Sequence, residues 1–166
     1  MPTSSSSARR SSTSRAAMRV EVRGVLLLEG RLLVHRERQV DGVHLSLPGG
    51  RVGPGEHVDE ALHREVEEEI GIAVTVGPLL YVGEVVSDRG LADLNLFFRI
   101  FPVDSAPTFP MGSCDLIDLD RPHAEFRPPI LEHLRADADH GWIRQARWLG
   151  NLFDATCSPI QNGGNG

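Results

Sequence analysis

The sequence contains no lysine, and all 17 of its basic residues are arginine. Without a side-chain amine the protein has neither a Schiff-base residue nor a lysine nucleophile, which excludes covalent catalysis of those kinds. The sequence also has no long hydrophobic run, because no apolar stretch approaches the ~18 residues that a membrane-spanning helix requires. We therefore expect no membrane partner.

Cysteine is scarce as well, and the two residues of this type form no metal-binding pattern. Cys114 and Cys157 are far apart in the sequence and belong to no CxxC motif. This spacing argues against a zinc site and a disulfide framework, and it is typical of a protein from a reducing compartment. The sequence therefore predicts a cytoplasmic location.

Positive charge is too sparse for a general nucleic-acid binder. The formal net charge is −6, and the first 17 residues hold three arginines and no acidic residue, so the remainder is still more acidic. A nucleic-acid-binding domain presents a basic face, so we expect no nucleic acid polymer as partner. An acidic body instead fits a site that is built from carboxylates and neutralised when a metal ion binds.

The length of 166 residues predicts one domain with a proper core. Residues 1–17 are rich in serine and arginine without apolar periodicity, so this N-terminal segment is expected to be disordered. They either belong to the native protein or precede a true start at Met18. Residues 18–155 are expected to form the domain, and residues 156–166 a flexible C-terminal tail.

The most informative stretch is Leu47–Ile72, which begins as a glycine-rich loop and continues as a helix. The spacing predicts a helix over about His57–Ile70, and Gly71 suits the left-handed position that ends a helix. Apolar residues recur at three- and four-residue spacing and form one stripe for packing on a core. The stripe consists of Val58, Ala61, Leu62, Val66 and Ile70.

The opposite side of this helix carries clustered acidic residues. Glu65, Glu68 and Glu69 stand at positions i, i+3 and i+4, so their carboxylates converge on one side. Like charges at this spacing repel one another, and the helix C-terminus disfavours anions. One interpretation is a solvated acidic face. The other is a site for a hard divalent cation such as Mg²⁺, with Arg64 holding a carboxylate in place.

The stretch from Gly50 to Ile72 resembles the Nudix box, GX5EX7REUXEEXGU with U an aliphatic residue. Every specified position matches, including Gly50, Glu56, Arg64 and Gly71. The resemblance implies the Nudix fold, an α/β fold in which a mixed β-sheet is sandwiched between α-helices. It also implies an enzyme that uses Mg²⁺ or Mn²⁺ to hydrolyse the pyrophosphate bond of a nucleoside diphosphate linked to another moiety.

The resemblance also implies roles for individual residues of the box. Glu65, Glu68 and Glu69, with the backbone carbonyl of Gly50, are the implied metal ligands. Glu65, Glu68 and Arg64 are the implied catalytic residues, while Glu56 and Gly71 support the site. The general base stays open between Glu65 or Glu68 and an acid on a distal loop. The distal candidates are Asp115, Asp118, Asp120 and Glu125.

The segments that flank the box read mostly as strands, which fits an α/β domain. Further candidates for substrate contact lie on these strands, namely Arg36, Arg38, Phe97 and Arg99. Strands are predicted over residues 20–28, 31–35, 43–47, 72–76, 79–86 and 95–101. Residues 103–128 are predicted to be irregular, with a degenerate strand over 114–119, and a second helix is predicted over 128–136.

Two functional readings follow from the resemblance. The first is a hydrolase that acts on a nucleotide, a nucleotide sugar or a dinucleotide. The sequence lacks the signatures of the family's coenzyme A, NADH, ADP-ribose and diadenosine polyphosphate subgroups, so the substrate stays open among these classes. The second is a Nudix-fold nucleotide-binding or regulatory module without catalysis. Such modules usually lose carboxylates of the box, and here all are present. Many relatives are homodimers, and the resemblance allows a homodimer here.

Overall fold

We describe the protein from a computed structural model that covers residues 18–40, 42–86, 92–110, 112–142 and 145–152. The predicted disordered segment, the predicted tail and Cys157 lie outside these residues. Neither helix in the described part of the chain is long and apolar enough to cross a membrane.

The chain forms nine strands and two helices in the described residues. In chain order these are β1 (Arg19–Val25), β2 (Leu27–Leu28), β3 (Arg31–Gln39), β4 (Gly42–Ser46), α1 (Val58–Ile70), β5 (Val74–Val86), β6 (Ala92–Pro102), β7 (Cys114–Asp118), β8 (Phe126–Arg127), α2 (Leu131–Asp139) and β9 (Arg147–Asn151).

The strands form two sheets with mixed pairing. The first sheet has the order β1-β6-β5-β9, in which β1 runs parallel to β6 and β9 runs parallel to β5, while β5 and β6 are antiparallel. The second sheet has the order β2-β3-β4-β8, and β7 also pairs with β3, antiparallel to it. The predicted α/β class with a mixed sheet is therefore observed, with the strands divided between two sheets.

The two helices cover different parts of the core. Leu32 and Val34 of β3 belong to the apolar cluster that includes Leu134 of α2. Leu33 belongs to the cluster that includes Leu62 of α1. Because successive side chains of a strand point to opposite faces, this alternation puts β3 between the two helices.

Helix α1 has the limits that the sequence predicts. Ala61, Leu62, Val66 and Ile70 are buried. The helix ends at Gly71, where φ is 76° and the backbone N–H donates to the carbonyl of Glu67 at 2.9 Å. A left-handed residue at this position satisfies one of the last carbonyls of the helix, and glycine adopts that conformation without strain.

Three sequence predictions on the flanking elements need correction. The strands predicted over 72–76 and 79–86 are one strand, β5, which begins at Val74 and has register shifts between Val76 and Tyr81. Within residues 103–128 the predicted degenerate strand is observed as β7, which pairs with β3, whereas β8 lies in a part that was predicted to be irregular. Helix α2 begins at Leu131 rather than at Pro128, since consecutive prolines keep the residue before each of them out of the helical region.

A buried polar network attaches α2 and β9 to β5. The Tyr81 hydroxyl donates to the Asp137 carboxylate, and Arg147 Nη2 donates to Asp137 Oδ2 at 2.6 Å. The Arg147 guanidinium lies over the Tyr81 ring, 5.3 Å from its centroid. Burial and the neighbouring carboxylate raise the pKa of Tyr81 above its usual range, so the hydroxyl stays a donor.

Candidate active site

The loop that enters α1 is held against β1 by backbone hydrogen bonds. Val22 N donates to the Gly50 carbonyl and Gly24 N donates to the Pro48 carbonyl, each at 2.8 Å. Gly49 has a φ of 136°, and a Cβ at that position would overlap the carbonyl oxygen of Val22. Only glycine therefore allows this close approach of the two backbones.

The carboxylate of Glu65 lies against the backbone of Gly50. A Cβ added to Gly50 would be 2.5 Å from Glu65 Cδ and 2.6 Å from each carboxylate oxygen. The missing side chain at Gly50 is thus what leaves room for Glu65. The box therefore requires glycine here for space, although this residue has no unusual φ.

The carboxylate of Glu69 is largely buried beside the same loop. Its Oε2 accepts a hydrogen bond from Gly49 N at 2.9 Å, and its Oε1 lies 3.4 Å from Nδ1 of His35. Burial raises the pKa of Glu69, and the charge of Glu65 acts in the same direction, against the hydrogen bond from Gly49 and the nearby His35 and Arg23. The protein thus holds Glu69 where its negative charge is poorly compensated, an arrangement that a bound cation would relieve.

Arg64 connects the other carboxylates of the box. Its Nε and Nη2 donate to the two oxygens of Glu56 at 2.9 and 3.0 Å, a bidentate pair. Its Nη1 donates to Glu65 Oε1 at 2.8 Å, whereas the distance to Glu68 Oε2 is 3.5 Å. Gly53 N also donates to Glu56, at 2.8 Å. Glu56 on the loop therefore fixes the Arg64 guanidinium, which in turn orients Glu65.

The Glu56 pair makes a testable contribution to acid stability. Hydrogen bonds from Arg64 and Gly53 lower the pKa of Glu56 from 4.5 to about 2. A carboxyl group whose pKa is lower in the folded state stabilises the protein above its ordinary pKa, and this contribution is lost as the pH falls towards the folded value. In metal-free thermal melts, we expect Glu56→Gln to lower the melting temperature above pH 4.5, with a difference that narrows towards pH 2.

The control for this prediction is Glu56→Gln in a protein that already lacks the Arg64 side chain. In an Arg64→Ala background the main cause of the low pKa is absent, so Glu56→Gln should have a smaller effect at every pH. If Glu56→Gln lowered the melting temperature by the same amount from pH 6 to pH 2 in the native background, the low pKa assigned to Glu56 would be wrong.

The donor set suits a hard divalent cation, although the carboxylates are not gathered around one point. No group of three His, Cys, Asp or Glu side chains in the described residues is close enough to hold a metal ion. The Gly50 carbonyl accepts the hydrogen bond from Val22 N, which leaves it a second lone pair. Glu65 and Glu69 flank the Gly49–Gly50 backbone, whereas the Glu68 side chain is 62% exposed. Two carboxylates and a backbone oxygen thus fit Mg²⁺ or Mn²⁺, which prefer oxygen ligands and keep several waters.

The predicted substrate contacts outside the box lie in different surroundings. Arg36 is exposed and forms an ion pair with Asp115 at 3.2 Å, and Arg38 is exposed on the same strand. Phe97 is 0% exposed and packs edge-on against Tyr81. That burial contradicts the prediction that Phe97 contacts a substrate, because the ring belongs to the core.

Arg99 and the distal acids also make contacts of their own. The Arg99 guanidinium stacks on the Trp142 ring at 4.6 Å and donates to the Val25 carbonyl. Among the distal candidates for the base, Asp118, Asp120 and Glu125 lie near Arg121, Arg135 and His123, respectively. The described contacts bring none of these acids to Glu65 or Glu69.

A cavity of about 590 Å³ opens beside the loop. Arg23 lines it and donates to the Gly49 carbonyl at 2.8 Å, so the cavity adjoins the backbone that carries the box glycines. Its polar lining residues were not among the predicted site residues. The signal available in the sequence was the charge at Glu21 and Arg23, which alternate with the valines of β1.

Comparison with known proteins defines the class to which this fold and site belong. The sequence matches the family described as NUDIX domain over residues 18–134. Among solved structures, the chain resembles a MutT NUDIX hydrolase from Burkholderia pseudomallei, with 27% identity, a TM-score of 0.56, and coverage of 70% of this chain and 97% of that chain. No curated protein matches the sequence at a significant level.

Two further solved structures are similar in fold at lower identity. A NUDIX hydrolase from Nitrosomonas europaea is 22% identical, with a TM-score of 0.63 and coverage of 76% of this chain and 91% of that chain. An ADP-ribose pyrophosphatase from Streptococcus suis is 18% identical, with a TM-score of 0.55 and coverage of 80% and 99%.

The family match extends over more than half of the chain, well beyond the box itself. The chain belongs to the NUDIX domain family. This confirms the predicted family, the predicted fold and the prediction of a Nudix-type enzyme.

Proposed function

We propose that the protein is a divalent-metal-dependent hydrolase that cleaves the pyrophosphate bond of a nucleoside diphosphate linked to another moiety. The observation that supports this proposal most directly is that the carboxylates of Glu65 and Glu69 both lie beside the Gly49–Gly50 backbone. The Arg64–Glu56 pair holds this arrangement from the loop side. A purely structural helix gains nothing from two carboxylates held this close, since they repel each other.

Glu65, Glu69 and the Gly50 carbonyl are the residues that would hold Mg²⁺ or Mn²⁺. When bound, the cation neutralises charge on the phosphate oxygens and acidifies a water molecule. Arg64 keeps one oxygen of Glu65 in a hydrogen bond at 2.8 Å, which leaves its second oxygen for another ligand. Gly49 N fixes Glu69 in the same way, through one oxygen only.

Within the box, the geometry favours Glu68 over Glu65 as the proton acceptor. The Glu68 side chain is largely exposed and its contact with Arg64 is long, at 3.5 Å. Glu65 is held by a shorter bond to the same guanidinium. A general base must reach an incoming water molecule, and the exposed carboxylate has more freedom to do so.

The substrate class is open to a direct test. One solved structure that the chain resembles is named an ADP-ribose pyrophosphatase, so ADP-ribose belongs in a panel with (d)NTPs, NADH, diadenosine tetraphosphate and nucleotide sugars. We expect release of a nucleotide product from one class with Mg²⁺ or Mn²⁺, and no release with chelator. Ligand-dependent thermal stabilisation without turnover on any substrate would instead indicate a nucleotide-binding module and overturn the proposal.

A further inference from the structure

The cavity beside the box loop is lined by strands of both sheets. Glu21 and Arg23 come from β1, Asn95 comes from β6, and Glu37 and Ser46 come from β3 and β4. Among the lining residues that the structure describes, the one aromatic ring is the imidazole of His44. Stacking on a ring is tolerant of base identity, so hydrogen bonds have to provide the discrimination.

One buried polar atom at this cavity lacks a partner within the described residues. Arg23 Nε is buried and has no hydrogen-bond partner there. Asn95 is 5% exposed and also lines the cavity. Buried polar groups are normally satisfied, so Arg23 Nε indicates a polar ligand or ordered water in the cavity.

Glu37 presents a carboxylate with spare hydrogen-bonding capacity. Its Oε1 accepts from the Ser46 hydroxyl at 2.6 Å, and its Oε2 accepts from Gln39 Nε2 at 3.3 Å. Each carboxylate oxygen can accept two hydrogen bonds, so each retains one lone pair. Partial burial acts to raise the pKa of Glu37, but the hydrogen bonds from Ser46 and Gln39, together with the nearby Arg23 and His35, outweigh it and the pKa is lower than usual. The group is therefore an anionic acceptor at neutral pH.

We propose that Glu37 is the specificity-determining residue of this cavity, where it accepts two hydrogen bonds from a substrate group that presents two adjacent donors. The inference rests on the proposed function, because the loop next to the cavity would hold the phosphates. Two common parts of a nucleotide offer such paired donors. One is the guanine edge with its N1–H and amino group, and the other is the vicinal diol of ribose.

The consequence is discrimination against ligands that lack one donor. A pocket built to hydrogen-bond a ligand rejects an analogue without the matching group, because the buried acceptor is left unpaired. If the base is the recognised group, adenine and uracil cannot satisfy both oxygens of Glu37, because each places an acceptor next to its donor. Selectivity for a ligand with two adjacent donors should therefore require that both oxygens of the Glu37 side chain are acceptors.

Equilibrium binding tests this without requiring turnover. Titration calorimetry in Mg²⁺ would compare GDP with IDP, which lacks the amino group, and with 2′-deoxy-GDP, which lacks one hydroxyl. If guanine is the recognised group, IDP should bind about 10-fold or more weakly than GDP; if the diol is recognised, 2′-deoxy-GDP should show that loss. The Glu37→Gln substitution replaces one acceptor by an amide donor. In this variant GDP and the weaker-binding analogue should differ in affinity by no more than about twofold.

Glu29→Gln is the matched control, because Glu29 is a highly exposed carboxylate in the β2–β3 turn and should preserve the preference. Equal binding of all three ligands, no binding of any, or a preference that survives Glu37→Gln would overturn the inference. Metal-dependent hydrolysis in the substrate panel is measured separately, so the proposed function can hold while this inference fails.

Discussion

Glu69→Gln is expected to reduce metal-dependent hydrolysis by about 10²–10³-fold, the loss typical of removing one charge-stabilising group from an active site. The substitution keeps an oxygen that can accept from Gly49 N, so the loop should stay in place. It removes the negative charge that we propose for the metal ion. The measurement is kcat and KM at several Mg²⁺ concentrations, and the Mg²⁺ dependence should weaken together with kcat.

The same substitution should leave the metal-free fold as stable as before, or slightly more so. Burial raises the pKa of Glu69, which means that its ionised form is disfavoured in the folded state. Above the folded pKa this costs stability, and a neutral glutamine avoids the cost. The melting temperature of Glu69→Gln without metal at pH 7 should therefore equal or exceed that of the native protein.

Glu67→Gln is the control on the same helix, since Glu67 is exposed and two residues away. It should retain nearly full activity. If Glu69→Gln were as active as Glu67→Gln, the assignment of Glu69 to the metal site would be wrong. A large drop in the melting temperature of Glu69→Gln would instead show that its carboxylate serves the fold.

Gly50→Ala is the second substitution with a large expected effect, about 10²-fold in kcat, because small displacements of a catalytic group cost this much. The added methyl group would lie 2.5 Å from Glu65 Cδ, so the carboxylate has to move. The backbone of Gly50 has no positive φ, and alanine should fit it without strain. The melting temperature should therefore change by only a few degrees while activity is lost.

A double-mutant cycle shows whether Gly50→Ala acts through Glu65. Once Glu65→Ala has removed the carboxylate, the new methyl group has nothing to displace. We therefore expect Gly50→Ala to cost little further activity in that background, a strongly non-additive result. Equal losses in both backgrounds would mean that the methyl group disturbs the Gly50 carbonyl or the loop, and not Glu65.

The parts of this site that the sequence predicted are those in which neighbours in the chain are also neighbours in space. The periodicity of α1 puts Ala61, Leu62, Val66 and Ile70 in the core, and Gly71 ends the helix as expected. The reach of Arg64 back to Glu56 spans only eight residues. Helical geometry sets the apolar stripe and the carboxylate spacing, and the Arg64–Glu56 contact spans only the short loop that enters the helix, so these features follow from residues close in the sequence.

The side of a strand on which a residue lies was harder to predict. A pair of phenylalanines on a strand places one ring on each face, and the sequence does not say which face is buried. In β6 the buried ring is Phe97, which was predicted to contact substrate. Strand register decides this, and a shift of one residue would exchange the two faces.

The amino-acid sequence by itself determined the helix, its terminating glycine, the carboxylate spacing of the box and the family. Only the tertiary structure decided what surrounds the box. The cavity forms because Asn95 lies opposite Glu21 in the β1–β6 register and because Glu37 meets Ser46 across β3 and β4. These contacts join residues that are distant in the sequence, and they exist only once both sheets have formed.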